Sequence, residues 1–156
     1  MSAAAASCAV VTVPAVLLAV TAAELDRSQI ASRIRGMFPY AWLKTAAVRQ
    51  VGHNYAVYER GREKELLLRA GFPVSAPFVE TGEVRCFPLA AGRAAHAMHV
   101  GPYAELPRTY ALLDAWCKAQ GLQLSGQAWE LYGDWHEDPS RLETGLYYRL
   151  ADCASP

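Results

Sequence analysis

The chain has 156 residues, 53% of them hydrophobic and 19% charged, with 15 basic residues balanced by 15 acidic ones. That length suits one domain with a core of its own, and the composition excludes a disordered chain. A formal net charge of zero argues against nucleic acid or an anionic membrane as the main partner, because both need a basic surface.

Residues 1–23 are uncharged and rich in Ala and Val. They lack a basic leader region, and Pro14 divides the apolar run, so a strand of a cytoplasmic protein is expected in place of a signal peptide or membrane span. Val10–Val13 and Ala15–Val20 are β-rich. Asp26 or Ser28 can cap a helix carrying Ile30, Ile34, Met37 and Phe38 at helical spacing. Pro39 must start a new turn or kink this helix, after which Tyr40–Ala46 carries on as helix. Gly52-His53-Asn54 reads as a turn. Strands are expected at Tyr55–Tyr58 and Lys64–Ala70, joined by a charged hairpin with Arg60-Gly61-Arg62. Pro73, Ser75, Pro77 and Gly82 mark a connection. Further strands fit Glu83–Leu89 and Ala94–Val100, the latter ended by Gly101-Pro102. A second helix spans about Ala104–Gln120, with Leu106, Tyr110, Leu113 and Cys117 as its apolar stripe, Trp116 widening it and Gly121 as its stop. A strand at Gln127–Tyr132, a polar loop at 134–141 and a strand at Glu143–Leu150 complete the chain.

Cys8, Cys86, Cys117 and Cys153 show no paired spacing and are expected as free thiols. His96 and His99 fall on opposite faces of one strand, so they cannot share a metal, and His99 is expected to fix the turn that follows. No zinc spacing, phosphate-binding glycine loop or Ser-His-Asp arrangement is found, so no metal or cofactor is expected.

The two halves read alike. A gapless shift of 74 residues lays Ala41-Trp42 on Ala115-Trp116, Lys44 on Lys118, Gly52 on Gly126 and Tyr58 on Tyr132. Both halves read strand, helix, strand, strand, which predicts an α+β fold: a duplicated β-α-β-β domain over residues 8–150, with half-repeats at about 8–75 and 83–150. Its two helices would cover one face of an antiparallel sheet, and the other face would form a central groove between the halves. The phase of Trp42, Trp116 and Trp129 points them to the helix–sheet layer. Glu130 and Tyr132 would then face away from the helices. At the same shift Glu130 falls on Ala56, so packing of the scaffold does not require the carboxylate.

A carboxylate in an aromatic strand costs free energy unless it is solvated, paired or hydrogen-bonded. As a site residue Glu130 would attract a delocalised organic cation, and desolvation would suit it to general-base work. Tyr132 and Tyr58 would wall the site, stacking a planar ligand. Phe38, Tyr40, Tyr103 and Trp135 can line or lid it. Tyr147 and Tyr148 lie on opposite faces of one strand, so one of them should face the groove, and Tyr147 is the candidate ligand-binding residue.

The run His99-Val100-Gly101-Pro102-Tyr103, then Leu106, Tyr110, Leu113, Trp116, Gly121, Gly126 and Trp129-Glu130-Leu131-Tyr132 resembles the GyrI-like small-molecule-binding family, which is related to effector-binding domains of AraC-type and multidrug-responsive regulators. The resemblance implies a central pocket for amphipathic aromatic or cationic molecules, with Glu130 and Tyr132 at the positions of the pocket glutamate and tyrosine. One branch of the family resembles hydrolases that open the cyclopropane of DNA-alkylating natural products, where Glu130 and Tyr132 would be catalytic. Another branch inhibits gyrase by contact. The resemblance covers about residues 8–150, so a stand-alone ligand-binding domain is expected, with a small molecule as partner, no separate DNA-binding domain, no direct nucleic-acid contact and no membrane.

Overall fold

The computed structural model describes residues 7–61 and 64–151; Arg62 and Cys153, named above, lie outside the described residues. Runs of β-branched and aromatic residues, punctuated by Pro and Gly, set the strands. These are β1 (Cys8–Val13), β2 (Val16–Leu25), β3 (Tyr55–Arg60), β4 (Leu66–Pro73), β5 (Arg85–Leu89), β6 (Gly92–Val100), β7 (Leu124–Tyr132) and β8 (Glu143–Leu150). The helices are α1 (Arg27–Arg33), α2 (Tyr40–Leu43) and α3 (Leu106–Ala119), with 3-10 turns at Ile34–Met37, Tyr103–Glu105 and Pro139–Arg141. The strand pairs are antiparallel, giving the expected α+β class.

The chain forms two compact units, one of Pro14–Ala91 and one of Gly92 onward together with the segment up to Val13. We call them the N-unit and the C-unit. Each is a strand–helix–strand–strand repeat with one edge strand added. The N-unit orders its strands β3-β4-β2-β5, and the C-unit β1-β6-β8-β7. The edge strands are exchanged: β1 pairs with β6, Cys8 opposite Ala97, whereas β5 pairs with β2, Leu18 opposite Phe87. The connections explain this. Pro14-Ala15 and Ala90-Ala91 offer no residue suited to a positive φ, which a two-residue hairpin needs, so neither β1–β2 nor β5–β6 folds back on itself.

In the C-unit the predicted stripe of α3 is the packing stripe. Leu113 and Cys117 seat on Ala95 and Ala97 of β6 and Leu146 and Leu150 of β8, flanked by Leu106, Tyr110 and Trp116. A fully buried leucine such as Leu113 contributes about 1.5–3 kcal/mol. Gly121, at φ 65, ends the helix as predicted, and Leu122 N–H closes back on the Cys117 carbonyl at 3.0 Å. In β7 a bulge lies between Leu124 and Ala128, where Gly126 adopts φ 100. The strand therefore starts earlier than its alternation suggested.

In the N-unit the expected long helix is broken into three pieces. Asp26 caps α1 in a reciprocal box with Gln29. The backbone then tightens into the 3-10 turn, and α2 restarts after Pro39 and ends at Leu43, short of the expected Ala46. Thr21 Oγ1 donates to the Met37 carbonyl at 2.5 Å, which ties this segment to β2. Trp42 and Leu43 pack beside Ala19, Phe72 and Val74. Trp42 and Trp116, both half-buried, pack against the helix–sheet cores as expected.

One orientation is corrected. Glu130 pairs across the sheet with Leu146, and Leu146 supports α3, so Glu130 and Tyr132 share the helix-bearing face of the C-unit. Trp129 points to the opposite face, where its ring stacks on Tyr147 at 5.3 Å between centroids. Alternation fixes that neighbours point apart, not which side a helix covers. The seat for α3 is built on β6 and β8, so Trp129 and Leu131 of β7 were the wrong guide.

Candidate functional site

The site grows from β7. With a two-residue period, Glu130 and Tyr132 project on one face two positions apart. The Tyr132 hydroxyl donates to Glu130 Oε1 at 2.5 Å. From above, α3 brings Tyr110, whose hydroxyl donates to Glu130 Oε2 at 2.6 Å. Each carboxylate oxygen thus accepts a phenol, and Glu130 is only 5% exposed. Short O–H···O contacts to a carboxylate are stronger than neutral ones and offset part of its desolvation.

Aromatic rings surround this group. Tyr103, in the 3-10 turn before α3, meets Tyr132 edge-on at 5.8 Å. Tyr110 stacks on Tyr148 at 6.0 Å and 28°. The Tyr148 hydroxyl donates to Asp114 Oδ1 at 2.6 Å, one turn along α3 from Tyr110. His99 anchors the approach to the helix. Its Nδ1 lies 2.7 Å from Thr109 Oγ1, and its Nε2–H donates to the Pro102 carbonyl at 2.9 Å. The ring therefore ties β6, the Gly101-Pro102 turn and α3 together, the structural role expected of it, and so sets where Tyr103 stands.

Of the predicted site residues, the structure gathers Glu130, Tyr132 and Tyr103. It does not bring Tyr147 to them. Tyr148, opposite Ala128, is on the Glu130 face, and Tyr147 lies on the other, between Trp129 and His96. Gly145 makes room for the Tyr147 ring, because a Cβ there would lie 2.9 Å from its Cε1. Burial raises the Tyr147 phenol above its usual pKa. Trp135 stands 74% exposed in the β7–β8 connection, three residues past Tyr132. In the N-unit, Tyr58 lies on β3 opposite Leu68, and Tyr40 stacks on Phe72 at 5.5 Å, with Phe38 tilted against it at 6.2 Å. Sequence reasoning treated Tyr110 as core and Asp114 not at all. Their i, i+4 spacing on α3 places both on the side that faces β7 and β8, a signal available from the periodicity.

Among the described residues no group of His, Cys, Asp and Glu is arranged to hold a metal ion. Cys86 and Cys117 carry free thiols. Burial, then Asp114 and Cys8, raises the pKa of the Cys117 thiol. No helix among the described residues is long and apolar enough to cross a membrane.

A model of the GyrI-like small molecule binding domain matches residues 7–151. The chain belongs to this family. The C-terminal domain of EcmrR superposes with a TM-score of 0.79 at 17% identity, over 94% of this chain and 98% of that one. SAV2435 bound to tetraphenylphosphonium gives 0.68 at 9% identity, over 93% and 94%. A hydrolase encoded by lin2189 from Listeria innocua gives 0.60 at 15% identity, over 92% and 91%. At these identities the likeness is one of fold. A search of curated proteins gives no significant match. Membership of the GyrI-like family makes this a small-molecule-binding fold.

Proposed function

We propose that the protein binds amphipathic organic cations with aromatic bodies at Glu130. The observation that carries this reading is a carboxylate 5% exposed whose two oxygens are each held by a tyrosine hydroxyl. A buried anion framed by rings attracts a diffuse cation by charge and by the ring faces together, with little hydration to remove from the ligand. Tyr132 and Tyr110 fix the carboxylate, Tyr103 forms the rim, and Trp135 folds over as a lid. SAV2435, which shares the fold and holds tetraphenylphosphonium, supports the ligand class.

Tetraphenylphosphonium titrated into the protein is expected to bind, and Glu130→Gln to weaken it by about 10-fold or more, since a desolvated charge pair is worth well over 1.4 kcal/mol. A planar neutral ligand should be spared. Equal affinity of wild type and Glu130→Gln for the cation would reject the reading.

One observation favours a second, hydrolytic reading. The phenol–carboxylate contacts at Glu130 are proton-transfer distances, able to activate water and protonate a leaving oxygen. Incubation with a spirocyclopropyl alkylator, followed by mass spectrometry, should then show ring-opened product with wild type and none with Glu130→Gln.

A further inference from the structure

Thr144 is 0% exposed, and among the described residues its Oγ1 has no hydrogen-bond partner. It sits on β8 directly between Tyr132 of β7 and His99 of β6, on the face that carries Glu130. Neither neighbour is available to it. The Tyr132 hydroxyl is given to Glu130, and both nitrogens of His99 are engaged by Thr109 and Pro102. Directly opposed side chains lie about 5 Å apart at Cβ and diagonal ones about 7–8 Å, so Thr144 stands against Tyr132 and one diagonal step from Glu130.

A buried hydroxyl left unpaired is a standing cost that requires a reason. Packing does not supply one. In the N-unit Tyr58 is opposed by Leu68, also 0% exposed, where in the C-unit Tyr132 is opposed by Thr144. The repeat accepts an aliphatic side chain at this place, and only the unit with the buried glutamate has a hydroxyl.

We infer that Thr144 is a ligand-contacting position of the Glu130 site, donating its hydroxyl hydrogen to a carbonyl oxygen of the bound molecule. The inference rests on the cation-binding reading above and narrows it: the preferred ligand is an aromatic cation that also carries a carbonyl group. Glu130 takes the charge, and Thr144 reads the oxygen.

The test compares pentyltriphenylphosphonium with its (4-oxopentyl) analogue, which differs by one carbonyl, against wild type, Thr144→Val and Glu130→Gln, by calorimetry. Wild type is expected to bind the oxo cation about 5-fold more tightly, one neutral hydrogen bond's worth. Thr144→Val should erase that preference and leave the affinity for the pentyl cation unchanged. Without ligand, Thr144→Val should melt roughly 2–4 °C higher, as removal of an unpaired buried hydroxyl in a chain of this size predicts. Equal binding of the two cations by wild type overturns the inference, as does an equal loss of both in Thr144→Val. A lower melting temperature in Thr144→Val also overturns it, since the hydroxyl would then be satisfied within the unliganded fold. If neither cation binds wild type, the Glu130 reading itself falls and this inference with it. If both bind and only Glu130→Gln weakens them, the Glu130 reading stands without this one.

Discussion

Where the C-unit carries Glu130, the N-unit carries Ala56, fully buried opposite Ala70 on the face that seats its own helical segment. The rings nearby are alike in the two. Tyr40 stacks on Phe72 at 5.5 Å and 20°, and Tyr110 on Tyr148 at 6.0 Å and 28°. Phe72 faces Ala19 across its sheet, and Tyr148 faces Ala95 across its own. The stacked pair is thus common to both repeats, and what differs is the partner of the helix-side hydroxyl. Tyr40 receives the Asn54 amide, whereas Tyr110 donates to Glu130. The aromatic pair belongs to the scaffold. The carboxylate, with the hydroxyl of Thr144 beside it, was fitted into a place the scaffold fills with Ala56 and Leu68.

The sharpest way to break this comparison is to give the N-unit what it lacks. Ala56→Glu buries a carboxylate at a 0% exposed position packed for a methyl group, and should cost about 3 kcal/mol or more in chemical denaturation. A variant as stable as wild type would show that the N-unit is equally prepared for charge. Next in size, Tyr110→Phe strips Glu130 Oε2 of its donor and should cost about 1.5–3 kcal/mol, as for other hydrogen bonds to charged groups, with tetraphenylphosphonium affinity falling in parallel. Tyr40→Phe, the matching change in the N-unit, removes only a neutral bond and should cost about 1 kcal/mol at most. Reversal of that order would remove the distinction between the units.

Smaller still, Tyr148→Phe deletes the bond to the exposed Asp114 and should change stability by under about 1 kcal/mol. The smallest effect is in the alkaline limb. The Tyr147 phenol is raised by burial, so its folded-state pKa exceeds the unfolded one, and its contribution is complete below the unfolded pKa of about 10. That contribution is lost as pH rises through the folded-state value. Ultraviolet titration should therefore show Tyr147 ionising after the exposed tyrosines, and Tyr147→Phe should remove one phenol from the late-ionising part of the curve.

The duplicated order, the α3 stripe, the Gly121 stop and the asymmetry at Glu130 and Ala56 were legible in the sequence because each rests on local periodicity or a single backbone requirement. The helix-bearing face was not. It depends on which strands lie beneath α3, and Ala95, Ala97 and Leu146 come from parts of the chain far from the strand being read. The choice between Tyr147 and Tyr148 failed for the same reason, since alternation relates them to each other but not to Glu130 until the β7–β8 register is known. The exchange of β1 and β5 was hidden because each lies next in sequence to a strand it does not pair with. The break at Ile34–Met37 came from helical spacing that a 3-10 turn satisfies nearly as well as an α-helix.

The exchanged edge strands impose an order of assembly. The N-unit is one continuous stretch, Pro14–Ala91, and can complete its sheet as soon as that stretch has left the ribosome. The C-unit needs β1, which precedes the N-unit in the chain, and β8, which follows it. Its sheet must wait until the whole N-unit and then β8 have been made, a loop closure whose entropy is met only then. The four-strand sheet that carries Glu130 is therefore completed after that of the N-unit. Losing β1 to a nick near Pro14 would open the edge of β6, whose His99 anchors the turn bearing Tyr103, while leaving the pairing of β2, β3, β4 and β5 untouched.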